Sequence, residues 1–388
     1  MRSLSLVALI LASNTLATSP SNSTGWKVAK LQALGLARLS THVDKNGYYS
    51  EECTLENVSL RREWGTLTDS EKKGYIAAVK CLSKLPPLTP TSLETGVRSR
   101  YDDFVLTHIN QTLNIHGTGN FFAWHRYYIW TYEQALRNEC GYTGYQPYMD
   151  WGKYAMDPEN SPIFDGSATS MGSNGAFIAH DAVGIPSNAS PSISIPTGNG
   201  GGCMTNGPFV DFPVNLGPCL PSLSYVEPNP RADCLGYNPR CIRRDISQWT
   251  SSRWTKDSDI ADVIENYPDP TAWTYRFQGD FPAGYMGVHT AGHFTWGGDP
   301  GGDIFTSPAD PVFFLHHAQV DRVYWIWQNQ NVDARTFAVG ATITINNTPP
   351  SRNASLDDTI DIGVNAGPIT LRDAGSTIGN TPFCYIYL

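Results

Sequence analysis

The sequence predicts a mainly helical fold of one large domain, with long disulfide-stapled loops and a few short peripheral strands. Several segments carry apolar residues at the three- and four-residue spacing of a helix face. Residues 158–230 are instead rich in Gly, Ser, Pro and Asn, and eight cysteines occur along the 388-residue chain. Because no internal repeat or linker separates these segments, we expect them to share one core.

Six segments account for the predicted helices, and sequence signals mark several of their ends. Ser70 and Glu71 fit the first turn of one helix. Gly117 stops another, and Asp310-Pro311 fits an N-cap followed by the first turn of a third. In the tail, residues 336–345 and 383–388 predict short strands. The predicted helices cover residues 25–43, 68–82, 98–116, 121–137, 287–294 and 310–330.

The N-terminus is typical of an exported protein. A charged start, a short apolar run and small residues at a cleavage site predict a secretory signal over residues 1–17, which leaves 18–388 as a single domain. An even number of cysteines in an oxidising compartment predicts four disulfides. We therefore expect a secreted, extracellular glycoprotein. The predicted glycosylation sequons are Asn22, Asn57, Asn110, Asn188, Asn346 and Asn353.

Charge and cysteine spacing argue against several classes of function. The formal net charge is −9 and there is no run of basic residues, so neither nucleic acid nor an anionic membrane is an expected partner. After the signal, no stretch approaches the roughly 18 apolar residues of a membrane span. The absence of a Cys-x-x-Cys pair argues against zinc ribbons and thioredoxin-type chemistry. The oligomeric state stays open.

Seven of the nine histidines fall in two clusters. Any one of them alone fits a hydrogen-bonded core residue, but two clusters in aromatic segments suggest bound metal, because a buried imidazole without a partner is costly. His289 and His293 are four residues apart and project from one helix face. His42 and His180, outside the clusters, fit ordinary surface or loop residues. The clusters are His108, His116 and His125, and then His289, His293, His316 and His317.

The ligand type narrows the choice of metal. Imidazole without thiolate or carboxylate suits copper, zinc, iron or nickel. A zinc protease would show His-Glu-x-x-His, but Thr290, Ala291 and Gly292 stand between the two histidines here. A non-haem iron triad would need a carboxylate among its ligands. Three neutral histidines per site, twice over, favour a pair of copper ions, with chance clustering as the alternative.

Three stretches resemble the copper-site signatures of type 3 copper proteins, the family of tyrosinases, catechol oxidases and haemocyanins. They are HGTGNFFAWHRYYIWTYEQAL (116–136), HTAGH (289–293) and DPVFFLHHAQVDR (310–322). Residues 61–82 resemble the N-terminal part of fungal short tyrosinase-like and catechol oxidase-like polyphenol oxidases. The YIY of 385–387 is similar to the tyrosine motif that closes their core domain. The resemblance spans most of 18–388, which is then a tyrosinase-like catalytic domain.

The resemblance implies a central four-helix bundle that holds two copper ions. Consecutive helical residues point about 100° apart, so His316 and His317 cannot both face one copper. In relatives the second histidine of such a pair is the ligand, which selects His317. Phe313, one turn earlier, is expected to stack on its ring, and Asp321, one turn later, to accept a supporting hydrogen bond directly or through neighbours. The implied ligands are His108, His116 and His125 for the first copper, and His289, His293 and His317 for the second.

The implied activity is that of a secreted polyphenol oxidase. It would oxidise o-diphenols (catechols) to o-quinones while O₂ is reduced to water, with o-aminophenols as further candidate substrates. The alternatives are a full tyrosinase with monophenolase activity, reversible O₂ binding as in haemocyanins, and a zinc-dependent hydrolase. The chain ends at Leu388, just after the tyrosine motif. We therefore expect no C-terminal lid domain and no need for proteolytic activation.

Residues near the implied ligands predict weak or lagging monophenol hydroxylation. In tyrosinase-like relatives, a proposed base is a carboxylate-held water that an Asn after the first histidine of the second site orients. Here Thr290 follows His289, and the acidic position falls on neutral Gln278, with Asp280 as the alternative equivalent. A neutral amide cannot raise the basicity of water as a carboxylate would.

Two bulky residues are expected to shape access to the second copper. Phe294 follows His293 and would narrow the approach. Counting back thirteen residues from His317, as in relatives, puts Ile304 at the position of a gate residue. Ile304 fits an ordinary apolar loop residue equally well.

Overall fold

The computed structural model describes residues 26–90, 92–93, 96–186, 190–379 and 382–388. The predicted signal over 1–17 and the sequons at Asn22 and Asn188 lie outside the described residues. The α-helices are α1 (Trp26–Asn46), α2 (Asp69–Leu82), α3 (Arg100–Ile115), α4 (Phe121–Cys140), α5 (Trp151–Tyr154), α6 (Gln248–Trp254), α7 (Asp257–Asn266), α8 (Pro270–Gln278), α9 (Val288–Trp296), α10 (Val312–Asn329) and α11 (Val332–Arg335). The strands are β1 (Ser59–Arg61), β2 (Gly175–Phe177), β3 (Val183–Ile185), β4 (Ile193–Ile195), β5 (Gly201–Met204), β6 (Thr359–Ile360), β7 (Ile369–Thr370) and β8 (Tyr385–Tyr387).

A bundle of α3, α4, α9 and α10 forms the centre of the molecule, which confirms the predicted mainly helical class. Helix α10 packs against both α4 and α9, and α3 packs against α4. Every residue of α10 is buried, so this helix has no solvent face. Its polar residues are buried as well as its apolar ones, so it lies in the middle of a large core. Aromatic rings fill the contact with α4, where Tyr132 stacks on Phe314 with ring centroids 3.4 Å apart.

Side-chain caps set where the predicted helices begin. Thr68 and Glu71 form a reciprocal capping box at the start of α2, and Ser99 and Asp102 do the same for α3. Gly141, in the left-handed conformation with φ +67°, ends α4. These caps orient α3 and α4, the two helices that lead into the first histidine cluster.

The eight cysteines form four disulfides, as predicted. Cys81–Cys140 joins α2 to the end of α4, while Cys203–Cys241 and Cys219–Cys234 close loops in and beside the Gly- and Ser-rich region. Cys53–Cys384 joins the two ends of the described chain. Beside this last bond, β1 and β8 pair in parallel, with Ser59 opposite Tyr385.

The tail contains one predicted strand but not the other. Residues 385–387 form β8, whereas residues 336–345 form a turn, irregular backbone and an isolated bridge at Thr342. Ala341 has φ +68°, which an extended strand does not tolerate, and Gly340 is pressed against the backbone of Thr271. The alternating apolar residues of this segment therefore cover α8 rather than pair in a sheet. None of the described helices is both long enough and apolar enough for a membrane span.

Candidate metal centre

The first histidine cluster lies where α3 ends and α4 begins. His108 is on α3, His116 is the residue directly after α3, and His125 is on α4. All three are buried, with ring centroids 5.1 to 5.8 Å apart. Each can offer one nitrogen such that the three atoms lie within 4.8 Å of one another. This spacing fits three ligands around one ion.

Main-chain carbonyls fix the tautomer of these three rings. Nδ1 of His116 donates to the carbonyl four residues earlier, at Thr112 (2.9 Å), and Nδ1 of His125 does the same to Phe121 (2.7 Å). Nδ1 of His108 donates to the carbonyl of Phe305, at 2.8 Å. With the proton on Nδ1, each Nε2 keeps its lone pair, as a metal-binding histidine requires. Nε2 of His108 and of His125 is buried without a partner in the described structure.

The second cluster combines two helices. His289 and His293 lie one turn apart on α9, and His316 and His317 are adjacent on α10. All four are buried, and nitrogens of the four can be chosen within 4.8 Å of one another. Nε2 of His293 lies 3.2 Å from Nε2 of His317. The structure thus brings together all seven clustered histidines.

The adjacent histidines of α10 face different surroundings. The His317 ring lies between Phe313 (centroids 4.1 Å apart) and His125 of the first cluster (4.3 Å, nearly parallel). The His316 ring lies 4.2 Å from that of His293 and contacts the indoles of Trp151 and Trp296, at 5.1 and 5.0 Å. His317 is therefore at the boundary between the two clusters, whereas His316 is on the side away from it.

Burial keeps the clustered imidazoles neutral. Removal from water lowers the pKa of His116 to about 4 and that of His293 to about 3. The pKa of each of the other five is also lowered, chiefly by burial and further by neighbouring histidines. Neutral imidazole is the form that binds a metal ion.

Asp321 serves the packing of α10 rather than His317 directly. Its Oδ1 accepts from Arg126 at 2.6 Å, and its Oδ2 accepts from the hydroxyls of Tyr385 (2.5 Å) and Tyr387 (2.6 Å). Nδ1 of His317 has no hydrogen-bond partner within the described residues. Of the two forms expected for the support from Asp321, the direct hydrogen bond to His317 is not present among the described residues, while the expected contact of Phe313 with that ring is.

Gln278, at the end of α8, contacts residues that follow a histidine of each cluster. Its Oε1 accepts from the N–H of Gly117 at 2.8 Å, next to His116. Its carbonyl accepts from the Thr290 hydroxyl at 2.6 Å, next to His289. Asp280, the alternative from the sequence, is exposed.

The two predicted access residues have different surroundings. Phe294 is half-buried and packs on a small apolar cluster that includes Ile195 and Met286, beside the β3–β4 hairpin. Ile304 is 39% exposed and directly precedes Phe305, the residue whose carbonyl binds His108. Sequence reasoning missed Phe305, because a backbone acceptor 197 residues from its histidine leaves no local pattern.

The chain matches known proteins over most of its length. The model of the common central domain of tyrosinase matches residues 98–330. The tyrosinase-like protein orsC of Emericella nidulans is 45% identical over 76% of this chain and 80% of its own length. Tyrosinase P of Aspergillus terreus is 37% identical over 86% of this chain and 92% of its own.

A solved structure agrees in fold. A polyphenol oxidase variant from Thermothelomyces thermophila superposes with a TM-score of 0.88 at 40% identity, covering 94% of this chain and 99% of that one. The buried imidazole clusters, with their orphaned Nε2 atoms, fit a pair of copper ions. The chain therefore belongs to the tyrosinase family of binuclear copper oxidoreductases.

Proposed function

We propose that this protein is a secreted polyphenol oxidase that converts o-diphenols to o-quinones, also oxidises o-aminophenols, and hydroxylates monophenols weakly or after a lag. The observation that carries the proposal is the facing pair of histidine clusters, joined by the close approach of His125 and His317. A copper pair bound there would supply the electron transfer from a phenolic substrate to O₂. Burial keeps water from the histidines, and the neutral Gln278 stands at the position assigned to the water-holding acid.

The proposed ligands are three histidines for each copper. The support for the first site is its common tautomer, with Nδ1 bound to a carbonyl and Nε2 free. The support for His317 over His316 is its place between Phe313 and the first cluster. The proposed ligands are His108, His116 and His125, and then His289, His293 and His317.

Weak monophenol hydroxylation is proposed from the surroundings of Gln278. A monophenol must lose its proton as it reaches copper, which requires a base of suitable basicity in reach. Gln278 is neutral, and its amide oxygen is already used by the Gly117 N–H. The Thr290 hydroxyl donates its proton to the Gln278 carbonyl, so that proton is not available to a water as the donor of an Asn amide would be. Catechols, which ionise more easily, need this base less.

Access to the second copper is proposed to be set by Ile304 rather than by Phe294 alone. Ile304 is exposed in the segment that carries the His108 acceptor. Phe294 packs partly against the β3–β4 hairpin, which limits how far its ring can narrow the approach to His293. Phe313 and Asp321 support the ligands through packing of α10.

Secretion is proposed from the disulfides and the sequons. Four disulfides are typical of an oxidising compartment. Asn57, Asn110, Asn346 and Asn353 are all exposed, as a glycosylated residue must be. Mass spectrometry of the protein secreted by a fungal host would identify the mature N-terminus and the modified residues.

The deciding experiment compares initial rates on 4-methylcatechol and p-cresol, with the copper-loaded protein and its copper-free form as the control. We expect immediate quinone formation from the catechol, slow or lagging oxidation of p-cresol, and no reaction without copper. Comparable rates without a lag would instead identify a full tyrosinase and direct attention to Asp280. Reversible O₂ uptake without quinone would identify an O₂ carrier.

A further inference from the structure

The three Nδ1 acceptors of the first cluster differ in how they are held. Thr112 and Phe121 lie one helical turn before the histidines they bind, so regular helix geometry positions their carbonyls. Phe305 belongs to the irregular segment between α9 and α10, far in sequence from His108. The orientation of His108 therefore depends on whatever holds this segment in place.

The Asp303 carboxylate holds the segment that contains Phe305 in place. Oδ1 of Asp303 accepts from the Phe305 N–H at 2.9 Å. Oδ2 accepts from the N–H of Cys219 at 2.6 Å and from that of Leu220 at 3.0 Å. Asp303 is only 1% exposed, and no Lys or Arg of the described residues forms an ion pair with it. Burial raises the pKa of Asp303, and these backbone N–H groups act against that rise by stabilising the carboxylate.

The other side of this contact is a disulfide-closed loop. Cys219 is bonded to Cys234, so the two N–H groups that bind Asp303 begin a closed loop of the chain. Gly217 packs so closely on Thr306 that a Cβ at position 217 would lie 2.2 Å from the Thr306 methyl carbon. The loop and the segment thus form one packed unit, with Asp303 at its centre.

We infer that Asp303 is a positioning residue for the first copper site: it couples the Cys219–Cys234 loop to the carbonyl that orients His108. Asp303 touches neither copper nor substrate, and it acts only through Phe305. The inference rests on the proposed ligand role of His108. We call the hydrogen bonds of Asp303 to the N–H groups of residues 219, 220 and 305 the clamp. Without the clamp, the Phe305 carbonyl no longer holds the His108 ring with Nε2 toward the other two histidines, and the first copper is bound more weakly.

The test uses Asp303→Asn with Asp299→Asn as its matched control. Both residues are 1% exposed carboxylates of the same segment. Asp299, however, accepts hydrogen bonds from the Arg240 side chain, at 2.6 and 3.0 Å, and takes no part in the clamp. The amide of Asn has only one acceptor oxygen. Asp303→Asn therefore loses the hydrogen bond either to the Phe305 N–H or to the N–H groups of Cys219 and Leu220. Copper affinity is measured by chelator competition, and unfolding of each copper-free variant by denaturant titration.

We expect Asp303→Asn to lower the affinity for one of the two copper ions on the order of 10-fold, because losing a group that orients a metal ligand has an effect of about that size. Asp299→Asn should keep both affinities even if it lowers stability. Wild-type affinity for both coppers in Asp303→Asn would overturn the inference. So would an equal copper loss in Asp299→Asn at equal loss of stability.

Two further measurements keep the test decisive. Amide exchange in copper-free protein should be faster at residues 219, 220 and 305 in Asp303→Asn only, and unchanged exchange there would refute the clamp whatever metal the protein binds. If Asp303→Asn does not fold, the double variant Cys219→Ser and Cys234→Ser opens the loop instead and should weaken the same copper equivalent. Unchanged copper affinity in that variant would overturn the coupling. The copper content of the wild-type protein, measured alongside, tests the proposed function separately.

Discussion

At the residue scale, the adjacent histidines of α10 show how a helix gives two identical side chains different roles. Successive residues point about 100° apart, and the surroundings of each ring follow from that rotation. His317 meets Phe313 and His125, while His316 meets two indoles. The rotation could be predicted from sequence, but the indoles could not, because Trp151 comes from a distant short helix.

The first prediction separates these two histidines. His317→Ala should lose one of the two bound coppers, because it removes a proposed ligand at the boundary of the clusters. His316→Ala, which leaves a similar cavity, should keep both. Metal analysis of the two purified variants, with thermal unfolding to compare their stabilities, provides the measurement. Loss of copper from His316→Ala alone would contradict the ligand assignment.

The second prediction concerns Gln278. Gln278→Glu places a carboxylate next to the Gly117 N–H and should raise the rate ratio of p-cresol to 4-methylcatechol by about 10-fold, a modest part of the ~10²–10⁴-fold that a positioned base contributes. The control is Asp280→Asn, which should leave the ratio unchanged because Asp280 is exposed. If Asp280→Asn lowers the ratio instead, Asp280 is the base and the role assigned to Gln278 fails.

At the element scale, the bundle helices α3, α4 and α10 could be predicted from a long apolar period, whereas the nine-residue α9 was marked by the paired histidines at 289 and 293. Helix α3 begins at a Ser99–Asp102 capping box, and α4 ends at Gly141. Helices α6, α7 and α8, each at most ten residues long, were not predicted, because a short apolar period is hard to recognise without a pattern such as the paired histidines of α9. The strand expected over residues 336–345 failed because tertiary contacts at Gly340 outweigh local β-propensity.

The histidine clusters could be predicted for a similar reason. His289 and His293 share a helix face, which spacing alone shows. The acceptor of His108 and the partners of Asp321 come from segments distant in sequence, so only the fold brings them together.

The third prediction tests the buried charges that join α4 and α10 to the C-terminal strand. Asp321→Asn removes the counter-charge of Arg126, which is fully buried, and weakens both tyrosine hydrogen bonds. Breaking one partner of such a pair costs about 3–5 kcal/mol of unfolding free energy. Asp357→Asn, which removes an exposed pair with Arg372, should cost at most about 1 kcal/mol. Denaturant unfolding measures both, and equal losses would refute the structural role of Asp321.

At the scale of the whole molecule, the seven clustered histidines make the copper-free protein sensitive to acid. An unfolded histidine has a pKa of about 6.5, whereas burial lowers the pKa of His116 to about 4 and that of His293 to about 3 in the fold. Below pH 6.5 the unfolded chain therefore binds protons that the folded chain does not. Stability is fully present above that pH and is lost as the pH falls toward the folded values.

The fourth prediction is that the copper-free protein loses stability as the pH falls. Between pH 6.5 and 5, each such histidine costs the copper-free protein about 2 kcal/mol, so its unfolding midpoint in denaturant should fall steeply. His180 acts in the opposite sense: burial disfavours its charge, but hydrogen bonds with Ile178 and Asp245 raise its pKa. The stabilising effect of His180 at low pH is smaller than the summed destabilising effect of the seven clustered histidines. Copper should move the fall to lower pH, because metal competes with protons for the same nitrogens. A flat profile for the copper-free protein would contradict the prediction.

The bond between Cys53 and Cys384 gives the chain an unusual tolerance of cleavage. It spans 331 residues, whereas the other three disulfides close much shorter loops. A protease that cuts once in the Gly- and Ser-rich region leaves two fragments, with one of these two cysteines on each. The nicked molecule keeps its full mass on a non-reducing gel and separates into two bands only after reduction. Backbone breaks in those loops therefore do not show on a gel that leaves the disulfides intact.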